Sequence, residues 1–326
     1  MLRNFNIPRS SALIPRNSAK LAPEGPNLLI MEIKAVKPKI WNFEIVKGED
    51  AWKEVVYAAR VSGVPSRIEG EKVLRMMIEN DYGSVLEHII IKFDIKMAKG
   101  CAPELLEHRM ASHSGFSSRY VQANKGSLEL KFAKQDNVYE IIMPWHLIET
   151  KNEDPKVKIR REFFMEGIKK SLKVYEYLIN EGLPRDSARF ALPFCQAVGI
   201  YHFTINLRSF LNLLSLRLCV RVCPDFRCLA AQMYFNLIRE LPIIRGMVGC
   251  RGFIKGVCPE ANVTGVRKGK QHPFYPICLF KSPNSDIFIP TINELREGVK
   301  IKKFNREKAI EAQEKVFAKW ARWEGE

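Results

Sequence analysis

No apolar run in this 326-residue chain approaches the roughly 20 residues that a helix needs to span a bilayer, so no membrane-spanning helix is expected. The N-terminus has no apolar segment behind a basic start, so no secretory leader is expected. RNP motifs, KH loops and zinc-finger spacings are missing, and no two cysteines stand as Cys-x2-Cys. Recognition of nucleic acid through one of the common small modules therefore has no support. Internal repeats are also absent, which excludes solenoids and propellers.

Acid is scarce relative to base. The net charge is +16, and removing the +3 of residues 1–30 leaves +13 on the rest. Such a surface suits solubility, and it also attracts phosphorylated ligands or nucleic acid. Residues 1–30 are rich in Pro, Ser and Asn, carry Arg3, Arg9, Arg16 and Lys20, and have no acid before Glu24. They read as a disordered tail, a transit-like segment, or an upstream start with the true start at Met31; because nothing in them alternates or repeats, a disordered or spurious extension is preferred. Eight cysteines without a leader argue for reduced thiols in a cytoplasmic protein rather than a disulfide scaffold. Cys101 and Cys195 read as small core residues, and the other six lie between 219 and 278.

What is present is a mixed pattern. With 46% hydrophobic residues the chain can build one large domain or two small ones. Met31–Val36 and Ile40–Val46 alternate as short strands, and His88–Met97 is the clearest strand, with Ile89, Ile91, Phe93, Ile95 and Met97 on one face. Helical spacing marks Ala51–Arg60, Glu71–Asn80, Arg161–Asn180, Asn206–Leu218, Cys228–Leu241 and Arg306–Trp323. The stretch 121–155 reads as an irregular polar excursion, and 245–305 as rich in Gly, Pro and Lys with little periodicity. The class is α+β, divided as a 1–30 extension, a main domain over 31–305 and a C-terminal amphipathic helix over 306–326.

Residues 107–120, Glu-His-Arg-Met-Ala-Ser-His-Ser-Gly-Phe-Ser-Ser-Arg-Tyr, carry two His, two Arg and four Ser with few apolar neighbours. Guanidinium forks, hydroxyls and open backbone amides are what a phosphate-bearing ligand needs. A solvated surface loop would have the same composition, which does not choose between the two.

A series of motifs in register does choose. Glu107-His108-Arg109, seven residues, then Ser117-Ser118-Arg119-Tyr120 resembles the Arg-His-Arg-x7-Ser signature of the flavin-dependent thymidylate synthases. Ala58-Ala59-Arg60-Val61-Ser62, Gly83-Ser84 before Glu87-His88, Pro184-Arg185-x-x-Ala188-Arg189-x-x-Leu192-Pro193, Thr204 through Ser209, Asn212 through Arg217 and Ala231-Gln232 are similar to further blocks of that family, in order. The resemblance implies the flavin-dependent thymidylate synthase (ThyX) fold, a mixed sheet with helices, working as a homotetramer. It implies reductive methylation of dUMP to dTMP, with FAD as hydride carrier, NADPH as its reductant and methylenetetrahydrofolate as carbon donor. By the same resemblance Ser62, Ser84, His108, Arg109, Asn206, Arg208 and Asn212 line the flavin. Ser117, Ser118, Arg119 and Arg189 hold the nucleotide, with Ser117 and Arg217 at the catalytic centre and Arg217 beside the uracil ring. Singly, Arg189 and Arg208 would pass for surface arginines and Asn206 for a helix cap.

Departures from the family pattern are concentrated around the signature. Glu107 replaces its first arginine, Glu104 stands where a glutamine is usual and Pro103 where an arginine is, Gly115 replaces an acid, and Tyr82 a histidine. Either the site has re-paired, with dUMP or another uracil nucleotide such as UMP as substrate, or the scaffold has left catalysis, for instance to bind nucleic acid. Separately, Cys219, Cys228, Cys250 and Cys258 are candidates for a zinc site, with buried reduced thiols as the alternative.

Overall fold

The computed structural model describes residues 32–121, 123, 138–260, 266–267, 270–271, 278–282, 284–300 and 304–324. In chain order the strands are β1 (Glu32–Val36), β2 (Lys39–Ile45), β3 (Ile90–Met97), β4 (Ala111–Gly115), β5 (Val138–Ile142), β6 (Gly199–Asn206), β7 (Val266–Arg267) and β8 (Lys270–Gln271). The helices are α1 (Trp52–Val61), α2 (Gly70–Glu79), α3 (Gly83–Leu86), α4 (Ala102–Leu106), α5 (Pro155–Asn180), α6 (Arg185–Ala188), α7 (Leu207–Arg217), α8 (Pro224–Glu240), α9 (Arg251–Lys255), α10 (Ile292–Arg296) and α11 (Arg306–Arg322). Among the described residues no helix is long and apolar enough to cross a membrane.

The centre is an antiparallel sheet in the order β2-β3-β6-β4. Because side chains alternate across a strand, the register fixes its two faces. Ile91 lies opposite Ile205, Phe93 opposite Phe203 and Ile95 opposite Tyr201, all buried. Phe93 meets Phe203 at 5.3 Å between ring centroids, and Phe210 of α7 closes on it at 5.9 Å. Burial of each such ring contributes roughly 1.5–3 kcal/mol, and together they hold α7 against the sheet. The opposite face pairs Lys92 with Thr204, Asp94 with His202, and Ser112 and Ser114 with those same two residues.

A second, smaller layer pairs β1 with β5 in parallel and packs Tyr139 and Ile141 against Ile168, Leu172 and Tyr175 of α5. Lys96 of β3 reaches Glu140 of β5 at 2.7 Å, an ion pair almost shut off from water that joins the two sheets. α11 lies along α8, with Ala309, Ile310, Phe317 and Trp320 in the main core.

The helices begin where caps and prolines dictate. α5 starts at Pro155, six residues ahead of the expected Arg161, because Asp154 caps it by accepting from the Lys156 N–H at 2.9 Å. α8 starts at Pro224 rather than Cys228 without a side-chain cap, proline being suited to the first helical position. Three strands correct the sequence reading. The 121–155 excursion contains β5, Gly199–Asn206 is a central strand, and part of the 107–120 loop is the edge strand β4.

Candidate active site

Arg217 ends α7 and is only 17% exposed. One guanidinium nitrogen donates to Glu104 Oε2 at 2.9 Å and another to the Glu104 carbonyl at 2.9 Å. Its Nε donates to His108 Nε2 at 3.2 Å, while Glu107 stands 3.8 Å away and the Phe226 ring lies beneath at 4.9 Å. Burial, reinforced by the neighbouring Arg217 cation, pulls His108 down to about 4. The imidazole is thus neutral at physiological pH and can accept from the guanidinium. Glu107, which reverses a charge, and Glu104, which adds one where a glutamine is usual, are both partners of Arg217. The site has re-paired, on an arginine of the motif set itself.

A second cluster gathers on α6 and the turn after β4. The Ser117 carbonyl accepts from the Tyr120 N–H at 3.2 Å, and its Oγ accepts from the Arg119 N–H at 3.3 Å, forming the turn that presents Arg119. Arg119 then makes a two-pronged contact with Asp186, 3.1 Å on each arm, which holds the Asp186 carboxyl below the usual carboxylate range. Arg189 donates to the Asp186 carbonyl at 3.2 Å, and Arg185 to the Tyr120 carbonyl at 3.0 Å. Two arginines thus converge on Asp186 while Arg185 fixes the turn at Tyr120, and Ser118 is half-buried beside Arg119 in sequence.

The expected flavin residues distribute over α1, α3, α4 and α7. Ser62 closes α1, its Oγ donating to the Ala58 carbonyl at 3.1 Å, and Ser84 is exposed on α3. Arg208 pairs with Glu87 at 2.6 Å and crosses so close to Gly83 that a Cβ there would collide with its guanidinium. Asn206 caps α7, accepting from the Ser209 N–H at 2.9 Å, while Arg109 and Asn212 are exposed. Gly115 has a steric explanation: any Cβ would overlap the Tyr201 ring, so the missing acid leaves no vacancy. The sequence reading missed Asp186, Arg185 and Phe226 as partners. The first two lie inside the quoted Pro-Arg block, the signal by which they could have been found.

The cysteines sort differently from expectation. Cys219, Cys250 and Cys258 line one cavity, but the fourth thiol there is Cys278. Cys228 is buried elsewhere, its Sγ accepting from Gln232 Nε2 at 3.2 Å against α11. Cys101 is not a plain core residue: its Sγ lies 3.9 Å from that of Cys223, with Asp225 completing a compact trio.

Comparison with known proteins agrees with this geometry. A family model described as thymidylate synthase complementing protein matches residues 44–243. The chain is 30% identical over 206 residues to a flavin-dependent thymidylate synthase of Thermococcus onnurineus, covering 60% of this chain and 76% of that one. It is 29% identical over 182 residues to the Geobacter sulfurreducens protein of the same name, covering 56% and 70%. Among solved structures, a UMP/dUMP methylase, PolB from Streptomyces cacaoi with 5-Br UMP bound, superposes with a TM-score of 0.51 at 19% identity over 65% of this chain and 94% of that one. With the motif blocks in order and the family model spanning more than half its length, the chain belongs to the thymidylate synthase complementing protein family, as a divergent member.

Proposed function

We propose that the protein is a flavin-dependent methyltransferase acting on a uracil nucleotide, with dUMP as substrate, dTMP as product and methylenetetrahydrofolate as carbon donor. The observation that carries this reading is Arg217, fixed from two sides by Glu104 and the neutral His108. A fixed cation at the end of α7 is suited to stabilise negative charge developing on a uracil edge without reorganising first. Arg119 and Arg189 would hold the phosphate; Asp186 engages two of Arg119's nitrogens and leaves further N–H donors for a ligand. Ser117 and Ser118 would add hydroxyl donors.

The residues present fit FAD. Exposed Arg109, Arg208, Ser62, Ser84 and Asn212 supply cations, hydroxyls and an amide for a pyrophosphate. When bound, the flavin supplies the hydride for reductive one-carbon transfer, NADPH being its reductant. The protein's part is to orient the nucleotide, keep His108 unprotonated and hold Arg217 in place. A homotetramer is the assembly we infer, supported by Phe163, Phe190 and Phe194, each at least 80% exposed on one chain.

The test is the visible spectrum of the full chain with FAD, titrated with dUMP and then UMP. A flavin band that shifts with dUMP, and an Arg217→Ala variant that keeps FAD but loses the shift, are the expected results. A shift with UMP alone would move the substrate to the ribonucleotide. A protein that ignores FAD would overturn the proposal and turn attention to nucleic-acid binding.

A further inference from the structure

Four thiols outside the proposed nucleotide site converge from four segments on one cavity of about 50 Å³. Each is carried on hydrogen-bonded backbone. Cys219 follows α7 and its carbonyl accepts from the Val222 N–H at 3.1 Å. Cys250 caps α9, its carbonyl accepting from the Ile254 N–H at 3.1 Å. Cys258 is clamped on the chain before α10, donating to the Pro290 carbonyl at 2.8 Å and accepting from the Ile292 N–H at 3.3 Å. The Cys278 carbonyl closes a turn with the Lys281 N–H at 3.1 Å. Gly249 lets the chain enter α9, since a Cβ there would press on Gln313 and Phe253.

Filling a void needs methyl groups rather than sulfur. Thiols brought together from four directions match a thiophilic cation, and Zn²⁺ accepts four thiolates tetrahedrally. The thiols are neighbours in that all four line the same cavity. Three of the four lie past residue 243, where the family match ends. The competing group, Cys101, Cys223 and Asp225, is the one among the described residues whose three ligand atoms all lie within 4.8 Å of one another. It offers two sulfurs, already in contact with each other, where the cavity offers four around open space. No three of the cavity sulfurs all lie within 4.8 Å of one another, so closing on a zinc tetrathiolate, with an edge of ~3.8 Å, draws them inward.

We propose that Cys219, Cys250, Cys258 and Cys278 form a structural zinc site that ties the 250–292 segment to the end of the Arg217 helix. Binding forms four Zn–S bonds and releases the four thiol protons to solvent. The resulting double negative charge is bordered by Arg251, by Lys281, which also pairs with Glu294, and by Glu260, whose carboxylate is paired with Arg221. The proposal does not depend on the nucleotide reading.

Elemental analysis of the purified full chain, and cobalt spectra after Co²⁺ exchange, test it. Stoichiometric zinc and the charge-transfer and d–d bands of a tetrahedral cobalt tetrathiolate are expected. Cys250→Ser and Cys278→Ser should lose them, and Cys228→Ser and Cys223→Ser should keep them. Should the serine variants fail to fold, alkylation of the unaltered protein decides. Zinc should protect the four thiols as a set, and a chelator should expose them as a set. Absence of metal, metal kept by Cys250→Ser and Cys278→Ser, loss with Cys223→Ser instead, or iron with labile sulfide would each overturn it.

Discussion

At the scale of single residues, the departures around the signature read as one adjusted set. Glu104 and Glu107 face Arg217, and His108 completes the contact only while it is neutral. This gives a pH dependence of definite sign. His108 has a folded-state value of about 4, below its ordinary 6.5, so between these values the unfolded chain binds more protons. The stabilisation is therefore fully present above pH 6.5 and is lost as pH falls through that window. Urea midpoints measured at pH 7.5 and pH 5 should show the drop, and His108→Gln, which can still accept from Arg217 but does not titrate, should flatten it. Gly115 gives a second expectation. Restoring the acid as Gly115→Asp drives a side chain into the Tyr201 ring and should cost about 1–3 kcal/mol in equilibrium unfolding. Adding Tyr201→Ala should recover part of that loss, beyond additivity.

Among the elements, Gln232 is the clearest joint. Its Oε1 accepts from the Ile40 N–H of β2 at 2.8 Å, and its Nε2 donates to the Pro38 carbonyl at 3.0 Å and towards the Ala321 carbonyl of α11 at 3.4 Å. One amide on α8 thus fastens the first edge strand and the last helix. Gln232→Leu strands the buried Ile40 N–H and should destabilise by about 1–3 kcal/mol, with faster amide exchange at Ile40 by NMR. The Ala-Gln pair read from the sequence therefore has a structural reason.

Legibility followed the same lines. The one-sided helix α2 was readable because Val73, Leu74, Met77 and Ile78 are the residues it buries. β6 was not: Tyr201, Phe203 and Ile205 do alternate with His202, Thr204 and Asn206, but Gly199, Ile200 and Tyr201 are buried in succession and blur where the strand begins. β4 carries Ser-His-Ser and becomes a strand through its ladder to β6 rather than through its own propensity. Motif positions of the site could be located, but its pairings could not. Glu104 and Arg217 are 113 residues apart and Arg119 and Asp186 are 67 apart, contacts that exist only once the sheet has brought the segments together.

For the whole molecule, the exposed rings matter most. Phe163 stands on α5, and Phe190 and Phe194 follow α6, close in sequence to Arg189. If copies of the chain cover these rings, light scattering should give the mass of a tetramer. Phe190→Asp should reduce that mass while the circular dichroism spectrum stays unchanged. A monomer at micromolar concentration would remove this reading.

The Lys96–Glu140 pair has a consequence on warming. Dehydrating two charges becomes less costly as temperature rises, while the gain per unit of buried apolar surface levels off. The rivet between the two sheets therefore holds its grip while the packing around it slackens, so a heated molecule should begin to come apart at its frayed helical ends and leave that seam until late.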